Sequence, residues 1–424
     1  MALYLKNGTY IDWKTFKFIF ANIKVEDGLN GKIEILSENY SIPENEEIID
    51  CSGKYVTKSF ACGHHHAYSA LARGMPASKK KPRNFYEILK YVWWKLDKCL
   101  DPELIEISAL VTAIDCAKNG VTFIIDHHSS PNAVEGSLET IAGAFDKAGL
   151  SHLLCYEISD RDGKEIALKG IEETEKYLQN RQGLVGLHAS FTVGDDTLQK
   201  AVNLREKFNT GVHIHIAEDM YDQKYSLANY NKRVISRLND FDVLNSSKTI
   251  LAHCLHLNDF ERMLVRDSNA WVVQNTESNM NNKVGYFNSV GLGDNIMLGT
   301  DGMHGDMLRS AKAAYFVGQN FDNINFVSIY QRFRNIHRYI SENGFSGDGE
   351  NNLVILDYDT PTEFNKDNFP SHFIFGLESK HVRHVISNGK LIVENRSMVN
   401  VDEETVFKTS KELSKRLWNL FIRV

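Results

Sequence analysis

No run of about 18 consecutive apolar residues, the length a helix needs to cross a bilayer, occurs in this 424-residue chain. The first residues, Met1-Ala2-Leu3-Tyr4-Leu5-Lys6-Asn7-Gly8, lack a cationic region followed by an apolar stretch. Together these absences predict a protein that is neither secreted nor inserted in a membrane. Its cysteines, Cys51, Cys62, Cys99, Cys116, Cys155 and Cys254, form no C-x-x-C pair. They read as buried free thiols in a reducing, cytoplasmic compartment. Charge of one sign is also scarce, since the net charge of −7 is spread along the chain. The one basic cluster, Lys79-Lys80-Lys81-Pro82-Arg83, reads as a solvated loop, and no nucleic-acid footprint is expected.

An apolar share of 42% with 24% charged residues suffices for one large core and a smaller attached domain. Residues 1–57 hold short strand-like pieces at 4–5, 16–25 and 32–36, broken by turn residues. From residue 55 the pattern changes, with strand candidates at 55–66, 121–128, 152–158, 184–190, 211–218, 249–257, 270–276 and 295–301. Helical patterns at 101–118, 133–148, 164–179 and 195–208 separate them. Strands alternating with helices in this way predict an α/β fold, a (β/α)8 TIM barrel spanning 58–350. Strand-like character returns at 352–356, 372–375 and 382–393, and a helix is expected at 403–420. Neither terminal piece can bury a face alone, so 1–57 and 351–424 are expected to form one composite β-sandwich domain.

Histidines and carboxylates recur where these strands end. His64-His65-His66 closes the first, His188 the fourth, His213-x-His215-x-x-Glu218 the fifth, His253 the sixth and Asp301 the eighth. Residues i and i+2 of a strand share a face, which pairs His64 with His66 and His213 with His215. Barrel active sites lie at the C-terminal strand ends, where three imidazoles and one carboxylate can hold a zinc-type ion and leave a position open.

The ordered motifs His64-His65-His66, Gly186-Leu187-His188-Ala189-Ser190, His213-Ile214-His215-Ile216-Ala217-Glu218, Leu251-Ala252-His253-Cys254, Asn275-Thr276-Glu277-Ser278-Asn279-Met280-Asn281 and Gly299-Thr300-Asp301-Gly302 resemble the amidohydrolase superfamily, in its aminohydrolase and chlorohydrolase branch. The resemblance implies that His64, His66, His215 and Asp301 ligate one divalent metal ion, Zn2+ first, with Fe2+ or Mn2+ as alternatives. It implies Glu218 as the group protonating a substrate ring nitrogen, Asp301 as acceptor of the water proton, and His253 as the group that polarises the attacked centre. His188, Arg73, Gln274 and His304 are the expected substrate contacts. The fourth strand offers no lysine, so the carboxylated-lysine bridge of two-metal relatives has no source. His213 is expected behind the ligands and His65 in packing, while His127 and His128 stay open between pocket and structure.

The implied activity is hydrolytic deamination of a purine- or pterin-like heterocycle, with ring opening of a cyclic amide or amidine, or dehalogenation, as the alternative. A non-catalytic barrel that binds or assembles is the alternative of another class. Such proteins tend to lose the ligands, which this chain keeps. The expected partners are a small heterocyclic substrate and a second copy in a homodimer, with no nucleic acid and no membrane. Two departures from the family pattern stand out: Lys58-Ser59 where relatives have Pro-Gly, and Gln274-Asn275-Thr276 where they have His-Asn-Pro.

Overall fold

The computed structural model describes residues 2–423. Five strands open the chain: β1 (Leu3–Ile11), β2 (Phe18–Val25), β3 (Ile33–Leu36), β4 (Glu47–Asp50) and β5 (Tyr55–Lys58). Eight follow: β6 (Phe60–His65), β7 (Val121–His128), β8 (Ser151–Tyr156), β9 (Val185–Ala189), β10 (Val212–Ile216), β11 (Ile250–His253), β12 (Trp271–Gln274) and β13 (Ile296–Leu298). The last four are β14 (Leu353–Leu356), β15 (Val382–Ser387), β16 (Lys390–Glu394) and β17 (Ser397–Met398).

Strands β6 to β8 pair in parallel, as do β9 to β13. Bridges Leu154↔Gly183 and Ile158↔Leu187 join the two sets, and His65↔Asp301 closes the last strand onto the first. The result is the expected barrel, with helices such as Pro102–Lys118, Ser137–Ala148 and Asp195–Lys207 between strands. Every residue of β6 to β13 is buried, as a parallel sheet covered on both faces requires. Phe123, Ile125, Leu153, Cys155, Trp271, Val273 and Met297 fill the lower interior, and Ile336, Tyr339 and Ile340 of the helix Phe326–Glu342 plug its floor. Because side chains alternate, the layer above Phe123 and Ile125 is His127, and the layer above Met297 is Gly299 and then Asp301. A Cβ at Gly299 would lie 3.0 Å from that of His64, so the last strand can approach the first only without a side chain there.

The expected strand 55–66 is in fact two. Ser59 donates its N–H to Asn352 in the outer sheet while Phe60 donates to Gly120 in the barrel, so the chain changes sheets at this residue. Strands from both ends of the chain make one nine-stranded sheet ordered β17-β16-β15-β14-β5-β1-β2-β3, with β4 on β1. β1 pairs with β4 through Leu3–Lys6 and with β5 at Thr9 and Tyr10, bending at Asn7, whose φ is 59°. Its sides enclose Leu5, Ile23, Val25, Val56, Leu353 and Ile355. The segment 372–375 is a correction: it belongs to a helix, Phe369–Phe375, with Pro370 in its first turn, where a missing N–H costs nothing. The terminal helix runs Glu403–Arg423. Among the described residues all six cysteines are buried and unpaired, and no helix is long and apolar enough to cross a membrane.

Candidate metal centre and substrate cleft

The hydrogen bonds outside the centre fix which nitrogen of each imidazole faces it. His66 Nδ1 lies 2.6 Å from the carbonyl oxygen of His127, and His215 Nδ1 lies 2.7 Å from that of His188. A carbonyl can only accept, so both rings carry hydrogen on Nδ1 and, when neutral, present a bare lone pair at Nε2. His64 Nδ1 is held 2.9 Å from His213 Nε2, and its own Nε2 is buried without a hydrogen-bond partner. The free atoms converge. His66 Nε2 is 3.2 Å from His215 Nε2 and 3.0 Å from Asp301 Oδ1, while His64 Nε2 is 3.3 Å from the same oxygen. Ligand atoms of His64, His215, His253 and Asp301 all lie within 4.8 Å of one another. Neutral His64, His66 and His215 direct bare nitrogens at the Asp301 carboxylate here, and three imidazole nitrogens with one carboxylate suit a zinc-type ion. The residues therefore fit a divalent metal.

Three of the strands that build this centre are followed by a residue in, or end in, the left-handed region: Ala217 at φ 44°, His253 at 73° and Asp301 at 51°. Such conformations cost of order 1–3 kcal/mol each and cluster where side chains must be aimed against backbone preference. Burial pushes His64 down to about 3 and His253 to about 4, and takes His215 well below its usual range. His66 behaves oppositely: burial lowers it, but contact with Asp301 and the charges of Asp301, Glu157 and Asp126 lift it to about 9. Asp301 is held well below the usual carboxylate range, its burial outweighed by His64 and His66, and it accepts from the Ser278 hydroxyl.

Glu218 stands beside His253. Burial first, and the Asp301 charge second, raise its carboxyl well above the usual value. Its Oε2 lies 3.6 Å from His253 Nε2, and Oε1 accepts from Asn282 Nδ2 at 3.4 Å. On the far side of His253, Asn279 Nδ2 is 2.7 Å from Nδ1. An amide nitrogen donates, so the neutral His253 carries its hydrogen on Nε2, toward Glu218 and the centre. In that tautomer it offers a hydrogen bond rather than a ligand lone pair.

The centre opens into a cleft. Tyr68, Phe85, Trp93 and Trp94 give it aromatic surface, and Asp97, Glu157, Arg161 and His188 give it polar surface, with Arg161 5.4 Å from the Trp94 ring. A π-turn over Leu89–Trp93 in the helical segment that starts at Phe85 lets Leu89, Trp93 and Trp94 all reach the cleft. Single π-turns inside helices are frequent at functional sites for this reason.

Of the substrate contacts expected from sequence, His188 lines the cleft, with Nδ1 2.7 Å from Thr192 Oγ1. The other three are corrections. Arg73 has a side chain 71% exposed and pairs with Asp115 at 3.7 Å, away from the cleft. Gln274 is buried but committed elsewhere, accepting from Arg332 at 2.9 Å and donating to Thr276 at 3.0 Å. His304 turns to Glu277, because Gly305 ties the loop down by donating to Asp115 at 2.9 Å. His213 stands behind His64, and His65 Nδ1 meets Thr300 Oγ1 at 2.7 Å. His127 lies beneath His66 and His215, 3.3 Å from Glu157, and His128 meets Ser130 at 2.9 Å. Asp97, Glu157, Arg161 and Asn279 were not singled out from sequence. Glu157 and Arg161 follow β8, so the strand-end rule applied to the third barrel strand would have found them.

Residues 55–332 match the amidohydrolase family. The chain belongs to that family. It is 26% identical to the 5′-deoxyadenosine deaminase of Methanocaldococcus jannaschii, over 94% of this chain and 98% of that protein. It is 24% identical to the 5-methylthioadenosine/S-adenosylhomocysteine deaminase of Thermoanaerobacter pseudethanolicus, over 88% and 89%. Among solved structures it is similar to a zinc-bound adenosine deaminase from Xanthomonas campestris, with a TM-score of 0.84, 16% identity and 98% of each chain covered. The zinc complex of atrazine chlorohydrolase TrzN from Arthrobacter aurescens gives a TM-score of 0.81 at 14% identity, covering 97% of this chain and all of that one. At these identities the two structures establish the amidohydrolase fold.

Proposed function

We propose that this amidohydrolase removes an amino group from a purine- or pterin-like heterocycle by hydrolysis, releasing ammonia. The observation that carries the reading is the largely buried Glu218, its carboxyl raised by burial and placed 3.6 Å from His253 at the edge of the cluster of His64, His66, His215 and Asp301. His64, His66, His215 and Asp301 are the ligands in this reading, and zinc is the ion, with Fe2+ or Mn2+ as alternatives. When bound, such an ion supplies Lewis acidity and makes water easier to deprotonate.

The chain's own residues do the rest. Glu218 gives its proton to the ring nitrogen beside the amino-bearing carbon, which makes that carbon electrophilic. Asp301 takes a proton from the attacking water, and the His253 Nε2 hydrogen steadies the oxygen added to the carbon. The proton held by Asp301 then leaves on the amino group, and as ammonia departs the added hydroxyl returns a proton to Glu218, so that water and substrate balance product and ammonia. Each proton-transfer contribution of this kind is worth about 10² to 10⁴ in rate. The aromatic surface of the cleft offers faces for a flat ring to stack on. Relatives named as deaminases of adenine-bearing nucleosides support the same chemistry. We read the protein further as a cytoplasmic homodimer, the buried free thiols supporting a reducing compartment.

The test is ammonia release from aminopurines, aminopterins and aminopyrimidines, with metal content measured on the same preparation. Metal-dependent release that disappears in Glu218→Gln is the expected result, and near-normal turnover in that variant rejects the reading. Ring opening or loss of halide would give a product without ammonia.

A further inference from the structure

The short helix Thr276–Asn282 carries a donor to each of the three groups that hold or move protons in the reading above. Ser278 donates its hydroxyl hydrogen to Asp301 Oδ2, Asn279 Nδ2 donates to His253 Nδ1 at 2.7 Å, and Asn282 Nδ2 donates to Glu218 Oε1 at 3.4 Å. Ser278 and Asn282 lie one turn apart, so their side chains leave the same face of the helix, and both line the cleft. The helix stops at Asn282 in a Schellman turn. Lys283, at φ 57°, donates its N–H to the Met280 carbonyl at 3.2 Å, and Val284 donates to that of Asn279 at 3.2 Å. A lysine held in the left-handed region against its own preference marks a backbone that is fixed where it presents Asn282.

The direction of the Asn282 amide follows from its neighbours. An ionised Asp301 only accepts, so Ser278 directs its hydrogen there and keeps its oxygen as an acceptor. That oxygen lies 3.4 Å from Asn282, which therefore turns its NH2 group toward it. The amide oxygen faces the other way and accepts from Asn281 Nδ2 at 3.3 Å. The same NH2 group reaches Glu218 Oε1. A carboxyl oxygen that accepts from an amide is the one without hydrogen, because two hydrogens would otherwise meet. A protonated Glu218 is thereby left with its hydrogen on Oε2, the oxygen 3.6 Å from His253 Nε2.

We propose that Asn282 is the positioning residue for Glu218: it fixes Oε2 as the oxygen that carries the proton and so aims that proton at the substrate ring nitrogen. Without it the hydrogen can sit on either oxygen. The proposal rests on the acid role given to Glu218 above, and Asn282 acts through that carboxyl.

The first readout needs no substrate. Zinc-loaded protein carrying carbon-13 in its glutamate carboxyls is measured by infrared spectroscopy at pH 7, and subtracting Glu218→Gln isolates the C=O stretch of protonated Glu218. Asn282→Leu puts apolar atoms in place of the amide, so the band is expected at higher wavenumber as Oε1 loses its donor. Asn282→Asp keeps the shape but only accepts, so it should draw the hydrogen to Oε1 and move the band as well. Asn282 is half-buried at a helix end, and melting temperature and zinc content equal to wild type check that the variants fold. A band that stays in place in both variants, or no protonated Glu218 in the zinc-loaded wild type, overturns the proposal.

The second readout uses any compound from which ammonia is released. Asn282→Leu should lower kcat about three- to tenfold, the worth of one hydrogen bond, with KM within about twofold, and Asn282→Asp should lower kcat further. An unchanged kcat, or a loss confined to KM, overturns the proposal. A shifted band without ammonia from any compound keeps the proton on Oε2 and removes deamination; ammonia with an unmoved band does the reverse.

Discussion

Asn279→Asp isolates the part His253 plays. In the native arrangement Asn279 Nδ2 donates to His253 Nδ1 across 2.7 Å, so the neutral ring keeps its hydrogen on Nε2, facing Glu218. An aspartate of the same shape only accepts, and it moves the hydrogen of the neutral ring to Nδ1. Nε2 then offers a hydrogen only when the ring is an imidazolium. The new buried carboxylate also lifts His253 from its burial-depressed value of about 4. The sign follows: below the raised pKa the imidazolium still donates and activity survives, whereas above it the donor is lost and turnover falls. Removing one donor aimed at a developing oxyanion costs about 2.7–4 kcal/mol, or roughly 10²–10³ in kcat. The variant should therefore fall by about that factor on the alkaline side of a new titration that the wild type lacks. Asn279→Ala, which frees the tautomer without reversing it, should lose only about tenfold, the worth of a single hydrogen bond. The assay is kcat against pH for all three proteins on one substrate. Wild-type activity in Asn279→Asp across the alkaline range would refute the donor role of His253.

Three further outcomes are expected. In the metal-free protein His66 holds a proton up to about pH 9, so zinc must displace it; affinity should rise with pH up to that value, and titration at pH 7 in buffers of different ionisation enthalpy should show proton release. His213→Phe removes the support of His64 Nδ1 and should weaken zinc binding about 10- to 100-fold in a chelator competition, with unchanged affinity excluding that role. Arg73→Ala should leave kcat/KM within about twofold and stability within about 0.5 kcal/mol, since its side chain is 71% exposed and its partner Asp115 lies outside the cleft.

The barrel was legible because each strand is an apolar run of the right length and each is separated from the next by a helical period or turn signal. The convergence of His64, His66, His215 and Asp301 was legible because a strand of period two fixes which histidines share a face, and because these residues lie on strands or within three residues of a strand's end. Loops carry no such rule. Arg73 and His304 lie on segments beyond their strands, where Arg73 points to solvent and the loop of His304 is held by Gly305 donating to Asp115, a residue distant in sequence. Gln274 does end a strand, but Arg332 from a helix about 60 residues further on claims it, a contact that no local pattern encodes. Segment 372–375 is too short to reveal its period, and there Pro370 and the packing of Phe369 and Phe373 decide for a helix. Asn279 stood within a quoted motif, yet its effect on a tautomer needs the 2.7 Å contact to be seen.

The seam at His65↔Asp301 joins the first barrel strand to the loop after the last, and it also sets an order of events during synthesis. While the ribosome is still making the middle of the barrel, His64, His66 and His215 exist without the carboxylate that gathers them. A nascent chain of this kind could scavenge metal only weakly and with the wrong partners. On the proposed ligand set, selective loading waits until residue 301 has emerged and the ring of strands has closed. Translation that stops short of that point leaves a nearly complete barrel with an open edge between strands, a surface on which chains pair with one another.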